Sequence, residues 1–222
     1  MENLFSFKNA DIVAGPNVVV HSLCMDIKPG ETVYITGKVG SGKTSIIRTM
    51  IAEYPVRGEK AEALGFDLTR MRRRDIPKLR RSLGVVFQDF RLLLDRSVHD
   101  NLLFVLKSTG WKDRSRIEAR IDEVLEAVGM TTKSHKMPHQ LSGGEQQRIA
   151  IARAILNSPR AIIADEPTGN LDPQTAEGIL QLLHRLNSEN GTAIIMVTHD
   201  RSIVERYPGR HFVCDGQNCT EQ

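Results

Sequence analysis

Short runs of consecutive apolar residues alternate along the chain with segments whose apolar residues recur at helical spacing. Five such runs predict strands over residues 32–36, 84–87, 161–164, 193–197 and 210–214. Strands that are apolar on both sides are typical of a sheet covered on both faces, as parallel α/β sheets are. The pattern therefore predicts an α/β fold with a parallel-sheet core.

The first thirty residues carry a different pattern. Apolar and polar residues alternate over residues 4–7 and again over residues 23–27, ahead of a turn at Pro29 and Gly30. Alternation predicts strands with one covered face, which is the usual arrangement in antiparallel sheets. We therefore expect an N-terminal antiparallel β region.

Helical periodicity predicts the remaining architecture. One helix is expected to begin at Asp172 and Pro173, as N-cap and first helical residue, and to end at Asn190 and Gly191. Residues from about 89 to 157 show helical patterns and no strand signal, which interrupts the alternation of strands and helices. We interpret residues 89–157 as a helical subdomain inserted in one domain that spans residues 1–222. Its apolar stripe includes Ile117, Ile121, Val124, Leu125 and Val128.

Composition narrows the class of protein. Of 222 residues, 40% are hydrophobic and 26% charged, which is ordinary for a globular chain and excludes wholesale disorder. The net charge of +3 is too small to indicate polyanion binding by itself. No apolar run reaches the roughly 18–20 residues that cross a bilayer, and the start has no signal-peptide pattern. We expect a cytoplasmic protein that does not itself insert into a membrane.

The cysteines and the C-terminus give two further expectations. Cys24, Cys214 and Cys219 are an odd and sparse set, which favours reduced thiols over a disulfide framework. The final residues, 217–222, read as a frayed end.

Residues 37–44 read GKVGSGKT and match G-x-x-x-x-G-K-[ST] between an expected strand and an expected helix. Glycines let successive backbone N–H groups turn onto an anion, and the helix N-terminus adds positive potential. The Lys43 ammonium can reach the β- and γ-phosphates of a nucleotide, and the Thr44 hydroxyl is suited to Mg²⁺. We expect ATP and Mg²⁺ at a loop made of Gly37, Lys38, Val39, Gly40, Ser41, Gly42, Lys43 and Thr44.

Two acids follow the apolar run over residues 161–164. Asp165, at the end of the strand, is expected to hold the Mg²⁺ shell, and Glu166 to orient and deprotonate a water. Paired acids after a buried strand are costly unless a cation or water uses them. Taken alone, the motif also fits an acidic turn after a core strand.

The segment LSGGE, residues 141–145, has two interpretations. Ser142 and Glu145 fit a capping box that opens an amphipathic helix. Gly143 and Gly144 lower helix propensity by about 1 kcal/mol each, which a capping box does not require. The glycines would let an anion approach bare N–H groups, so a second phosphate-binding helix terminus is the functional interpretation.

Six motifs occur in the order found in ABC-type ATPases: GKVGSGKT, a strand ending in Gln88, LSGGEQQR, AIIADEP, GNLD and His199 after AIIMVT. The chain resembles that family over essentially its whole length. The resemblance implies a P-loop nucleoside triphosphatase fold and a head-to-tail homodimer that closes on ATP. It implies that Gln88 links Mg²⁺ or water to the helical subdomain and that His199 lies near the γ-phosphate. The resemblance also implies that the ATP site is completed by Ser142, Gly143, Gly144, Glu145 and Asp172.

Within the family, residues 84–102 are most similar to a cell-division branch, and Asp89 with Phe90 is the feature that favours it. Exporter and lipoprotein-release ATPases share ADEPTGNLD, so residues 164–172 do not separate the branches. The resemblance implies an integral membrane partner subunit and a location on the inner face of the cell membrane. An exporter or lipoprotein-release ATPase is the alternative.

One position departs from the family pattern. The family usually places an adenine-stacking aromatic about two dozen residues before the P-loop, where this chain reads Asp11, Ile12, Val13 and Ala14. Val13 is left as an apolar contact for the base. We therefore expect weaker affinity or weaker base selectivity.

Two surface features leave other functions open. A basic concentration suggests contact with nucleic acid or anionic lipid, although an exposed helix face is the simpler interpretation. A soluble ATP-switched nucleic-acid module is therefore a third hypothesis, but we expect no nucleic-acid partner. Phe90, Leu92 and Leu93 could line a groove for a partner's helix. The basic residues are Arg70, Arg72, Arg73, Arg74, Lys78, Arg80 and Arg81.

Overall fold

The computed structural model describes residues 2–222, in which ten strands form two sheets. In chain order the strands are β1 (Phe5–Ala14), β2 (Asn17–Ile27), β3 (Thr32–Gly37), β4 (Val56–Ala63), β5 (Phe66–Asp67), β6 (Leu83–Val86), β7 (Ala161–Asp165), β8 (Ala193–Val197), β9 (Arg210–Asp215) and β10 (Asn218–Glu221). One sheet is antiparallel, with the order β2-β1-β4-β5, and the other has the order β10-β9-β3-β8-β7-β6.

Seven α-helices connect these strands. They are α1 (Lys43–Met50), α2 (Ile76–Arg81), α3 (Val98–Ser108), α4 (Arg114–Ala127), α5 (Gly143–Ile155), α6 (Pro173–Asn190) and α7 (Arg201–Arg206). Between β6 and β7 the described chain adds three α-helices and no strand. The predicted helices at residues 117–128 and 173–190 are both present.

The six-stranded sheet is parallel except at β10, and its register defines one carboxyl edge. Ile35 of β3 and Asp165 of β7 both pair with Val197 of β8. The loops that follow β3, β7 and β8 therefore leave the sheet side by side. The predicted α/β fold with a parallel core and an N-terminal antiparallel region is confirmed.

The parallel sheet is buried on both faces, as its apolar runs predict. Ile163 and Ile195 join the apolar cluster shared with α1 and the antiparallel sheet. Ile162 and Ile194, one residue earlier on the same strands, join the cluster that contains the helices α3 to α6. Successive residues of a strand point to opposite faces, so one run of apolar residues contributes to two cores.

Four elements were missed by the sequence patterns. β4 has a run of exposed residues in its first half and contains Gly58, and the two-residue β5 is too short to carry a pattern. The helix α7 has six residues and one buried side chain, Ile203, so it carries no periodic pattern. The frayed end expected at residues 217–222 is wrong, because β10 pairs with β9.

The expectation of three reduced thiols is also wrong. Cys214 of β9 and Cys219 of β10 are joined by a disulfide, and only Cys24 is a free cysteine within residues 2–222. The antiparallel register places the two cysteines directly opposite, with Cα atoms 4.0 Å apart. Sequence spacing alone did not reveal this register because β10 was not predicted.

In the described chain, none of the helices combines the length and the apolar character needed to cross a bilayer.

Candidate nucleotide-hydrolysis site

The loop between β3 and α1 has the backbone shape that its glycines predict. Gly37, Gly40 and Gly42 have φ values of 145°, 82° and 94°, in the region that L-residues avoid. A Cβ on Gly37 would lie 2.1 Å from the Cys214 carbonyl oxygen, and one on Gly42 would lie 2.4 Å from a Val20 methyl. The loop is thus held against β9 and β2, with Gly42 as the N-cap of α1.

Of two buried polar groups in this loop, one is bonded only to the loop itself and the other has no hydrogen-bond partner. The Lys43 side chain is 7% exposed, and its Nζ donates to the carbonyl oxygens of Gly37 (2.7 Å) and Lys38 (2.9 Å). The Ser41 hydroxyl is buried and has no hydrogen-bond partner. An unpaired buried hydroxyl is costly, so the loop is incomplete without a ligand. A phosphate group fits this observation and the positive potential of α1.

Thr44 and Asp165 meet at the carboxyl edge of the sheet. Thr44 is in the first turn of α1, and its Oγ1 donates to Asp165 Oδ1 over 3.4 Å. Burial, and then repulsion by Glu166, raises the pKa of Asp165 above its ordinary value. The Thr44 hydroxyl and the Asp165 carboxylate are hard oxygen ligands that suit Mg²⁺. A cation bound here would offset the cost of burying the Asp165 charge.

Glu166 is bonded to His199 across the ends of β7 and β8. The Glu166 Oε2 atom lies 2.9 Å from His199 Nδ1 and accepts from the His199 backbone N–H at 3.4 Å. The Glu166 backbone has φ 48°, which is uncommon outside glycine, and its N–H donates to the Val197 carbonyl oxygen. Such strained backbone clusters at functional sites. The contact between Glu166 and His199 joins the loop after β7 to the loop after β8.

Gln88 follows β6 at the same edge and is bonded to Asn170. A cavity of about 260 Å³ is lined by Gln88, Asn170, Asp165, Phe87, Asp89 and Arg91. Gln88 Nε2 donates to Asn170 Oδ1 at 3.2 Å, and Asn170 Nδ2 donates to the Gln88 carbonyl oxygen at 3.2 Å. No local sequence signal indicates this role of Asn170, because its contact with Gln88 joins residues 82 positions apart.

The N-terminus of α5 carries the capping box that the sequence predicts. Ser142 Oγ accepts from the Glu145 N–H, and Glu145 Oε2 accepts from the Ser142 N–H at 2.9 Å. The bond from Ser142 and the nearby Lys133 hold the pKa of Glu145 below its ordinary value. Within the described chain, no hydrogen bond links this helix terminus to the P-loop.

Packing between helices explains the glycine at position 144 without a bound anion. A Cβ on Gly144 would lie 2.2 Å from the Thr175 methyl of α6, whereas one on Gly143 would be in ordinary contact with Leu171 at 3.4 Å. The close approach of α5 and α6 therefore requires glycine at residue 144. Anion access remains a reason only for the glycine at residue 143.

Two other predicted residues have clear local roles. Asp172 caps α6 and accepts from the N–H groups of Gln174 (3.1 Å) and Thr175 (3.0 Å), and bonds from Thr175 lower its pKa. Val13 is 5% exposed and pairs with Val18 across the β1–β2 hairpin, so it has little surface for a base.

Arg153 on α5 is a second residue that the sequence did not indicate. Its side chain is half-buried, and its guanidinium donates to the carbonyl oxygens of Phe90 (2.8 Å) and Arg91. Burial, with repulsion by Arg91, lowers its pKa. Phe90 and Arg91 have φ values of 57° and 49°, a strained pair of non-glycine residues. Arg153 thus holds the loop after Gln88 against the same helix that Ser142 caps.

Comparison with known proteins agrees with this geometry. The family model described as ABC transporter matches residues 20–169. The cell division ATP-binding protein FtsE of Streptococcus pneumoniae serotype 2 is 45% identical over 185 residues, covering 83% of this chain and 80% of the relative. FtsE of Mycobacterium tuberculosis is 47% identical over 180 residues, covering 81% and 77%.

A solved structure has the same fold. The dimeric structure of a post-hydrolysis state of the ATP-binding cassette MJ0796, bound to ADP and Pi, superposes with a TM-score of 0.86 at 30% identity, covering 98% of this chain and 97% of that one. The chain belongs to the ABC transporter family of ATP-binding cassettes. It is an ATP-binding protein and an ATPase, and it is similar to FtsE proteins over more than four-fifths of its length.

Nucleotide selectivity is expected to be weak, because Val13 is buried and residues 11–14 contain no aromatic side chain. Contacts to phosphate do not distinguish bases. The dissociation constants of GTP and ATP should therefore agree within about tenfold, which corresponds to a difference in binding free energy of roughly 1.4 kcal/mol. Displacement of a fluorescent ATP analogue measures this, with Lys43→Ala as the control that weakens both nucleotides alike. A hundredfold excess of GTP that leaves ATP bound would show that another side chain recognises adenine.

Proposed function

We propose that this chain is the ATP-hydrolysing subunit of a membrane complex of the kind its FtsE relatives are named for, which acts in cell division. The observation that carries the proposal is the group Lys43, Thr44, Asp165 and Glu166 at one sheet edge, in a chain that aligns with FtsE over most of its length. Residues 1–222 would act as one ABC ATPase domain, with residues 89–157 as its helical subdomain.

ATP binding would begin at the P-loop. Lys43 would exchange its bonds to two carbonyl oxygens for bonds to the β- and γ-phosphates, and the Ser41 hydroxyl would gain a partner. The backbone N–H groups of residues 38–44 and the N-terminus of α1 would hold the remaining phosphate oxygens. These contacts orient the γ-phosphate toward Glu166.

Thr44, Asp165 and Gln88 would hold Mg²⁺, since the first two are already in contact and the third lines the same cavity as Asp165. The cation, when bound, neutralises phosphate charge as the terminal bond breaks. Glu166 would accept the proton of the attacking water, and His199 would hold the Glu166 carboxylate and face the γ-phosphate. The products are ADP and phosphate.

A second copy of the chain would complete each site. Within residues 2–222 the capped N-terminus of α5 forms no hydrogen bond to the P-loop, and Ser142 at this terminus is exposed, so the terminus is accessible to another copy. Val39, at the tip of the P-loop, is 98% exposed, so the loop too is accessible to a second copy. We propose a head-to-tail homodimer in the ATP-bound state, with Asp172 at its interface.

Glu166→Gln is expected to retain ATP binding and lose at least a hundredfold in turnover. The amide is nearly isosteric but does not accept a proton from water. Because ATP persists in this variant, the protein should elute as a dimer with Mg-ATP and as a monomer without nucleotide. Size-exclusion chromatography with light scattering and a phosphate-release assay provide the two measurements. Turnover near that of the parent protein would remove Glu166 from the role of base.

A basic groove beside Gln88 supports docking of a partner. A groove of about 440 Å³ has an apolar floor of Leu83, Val85, Phe87 and Val105. Its rim carries Arg80, Arg81, Arg91 and Arg153, and no carboxylate lines it. We propose that a cytoplasmic segment of an FtsX-like integral membrane subunit binds here through an acidic face. The chain would then lie peripherally on the inner face of the cell membrane.

The groove differs from the one the sequence suggested. Leu92 is buried in the core among the helices, and Phe90 lies near the N-terminus of α5. Of the loop after Gln88, Arg91 is the residue that lines the groove, and its guanidinium stacks on Phe87. Docking at this surface would contact the loop that carries Gln88.

Arg81→Glu should reduce recovery of the membrane partner at least tenfold, because it reverses a charge at the groove rim. Arg72→Glu makes the same charge change at an exposed site outside the groove and should leave recovery unchanged. The experiment is affinity purification of the tagged chain from detergent-solubilised membranes of its host, quantified by mass spectrometry. Equal recovery in the two variants would contradict docking at this groove.

The same purification separates the proposed functions. A four-span membrane subunit without a bound lipoprotein or efflux component supports the FtsX-like assignment, whereas exporter or lipoprotein-release components support the alternative. The exposed arginines at residues 72–74 are the observation behind the third hypothesis, a nucleic-acid module. Turnover stimulated by DNA or RNA would support the nucleic-acid module.

A further inference from the structure

The amide groups of Gln88 and Asn170 form a reciprocal pair across the candidate site. Gln88 Nε2 donates to Asn170 Oδ1, and Asn170 Nδ2 donates to the backbone carbonyl oxygen of Gln88, both at 3.2 Å. One asparagine therefore fixes both the main chain and the side chain of Gln88. The contact joins the loop after β6 to the loop that follows Glu166.

The loop that carries Asn170 is itself constrained at both ends. The Gly169 N–H donates to the Glu166 carbonyl oxygen, and the Leu171 N–H donates to the Thr168 carbonyl oxygen, both at 3.1 Å. Two residues after Asn170, Asp172 caps α6. Asn170 is thus held between the proposed base and a helix terminus, which gives it a fixed position from which to orient another side chain.

The backbone at the adjacent Gly169 packs closely against the Gln88 side chain. A Cβ on Gly169 would lie 2.9 Å from Gln88 Nε2 and 3.4 Å from Gln88 Cδ. Any larger residue at position 169 would push the Gln88 amide away from Asn170. Glycine at position 169 therefore leaves room for the Gln88 amide where it lies.

The pair selects which end of the Gln88 amide is free. Asn170 Oδ1 only accepts hydrogen bonds, so it holds the nitrogen end of Gln88 and leaves Oε1 without that bond. Gln88, Asn170 and Asp165 line one cavity. A divalent cation binds oxygen and not an amide nitrogen, so this orientation is the one a cation beside Asp165 needs.

We propose that Asn170 is a positioning residue that orients the Gln88 amide oxygen toward the cation site at Asp165. The inference rests on the proposed role of Gln88 as a ligand of Mg²⁺ or its water. The simpler view, in which the pair only staples two loops together, predicts a loss of stability without a change in cation binding.

Mn²⁺ binding in the presence of ATP separates these views, measured from the free Mn²⁺ signal in electron paramagnetic resonance. The parent is Glu166→Gln, so that ATP is not consumed. In that parent, Gln88→Ala should weaken Mn²⁺ binding about tenfold and Asn170→Ala about fivefold. The double variant should match Gln88→Ala alone, because Asn170 acts only through Gln88. Binding of ATP without metal should be unchanged throughout.

Asn187→Ala is the matched control. Asn187 Nδ2 donates to the carbonyl oxygens of Gly30 (2.9 Å) and Thr192 (2.8 Å), so this variant also loses two hydrogen bonds, at the far end of α6. It should lower the unfolding temperature without affecting Mn²⁺. Asn170→Ala with weakened Mn²⁺ binding beyond that of this control supports a positioning role.

The outcomes distinguish the positioning role of Asn170 from the proposed role of Gln88 as a ligand of the cation or its water. If Gln88→Ala weakens Mn²⁺ binding and Asn170→Ala does not, the positioning role is overturned while the proposed role of Gln88 stands. If the two effects multiply in the double variant, Asn170 acts independently of Gln88 and the inference is again wrong. If Gln88→Ala itself has no effect, both the role of Gln88 and the inference fail.

Discussion

Parallel pairing of β3, β8 and β7 is the constraint on which the site depends. Ile35 and Asp165 share the partner Val197, so three loops leave the sheet at one edge. The P-loop, the acids at the end of β7 and His199 after β8 meet there, although the P-loop is more than a hundred residues from the other two in sequence. Burial of both sheet faces maintains this register, because a slip of one residue would exchange the two cores.

The site holds several arrangements that a bound nucleotide would relieve. Lys43 donates to backbone carbonyl oxygens, the Ser41 hydroxyl is buried without a partner, and Asp165 is buried beside Glu166. Each arrangement destabilises the folded chain to some degree. A nucleotide with its cation supplies a partner for every one of them, so binding and stability are linked. ATP should therefore be bound by groups that are already assembled.

Much of this site was predictable, because its chemistry is local in sequence. The P-loop, the acid pair and the capping box each fit within eight residues, and the apolar runs that predict their strands are continuous. Contacts between distant loops were not predictable: the pairing of Gln88 with Asn170 and the hydrogen bond from Arg153 to Phe90 depend on tertiary register. The disulfide spans only five residues, but it was missed because β10 was not predicted. The strand β4 was not predicted, because its run of exposed charged residues interrupts the alternation of apolar and polar positions.

We propose that each ATP site is shared between two copies of this chain. The direct measurement mixes Lys43→Ala protein, which lacks the phosphate cation, with Ser142→Arg protein, whose α5 terminus is blocked. Each variant alone should be nearly inactive, because both of its sites carry a lesion. In a mixed head-to-tail dimer both lesions fall in one site and the other site is intact, so mixing should restore part of the ATP hydrolysis. No recovery, with mixed dimers shown to form, would contradict a shared site that can turn over alone.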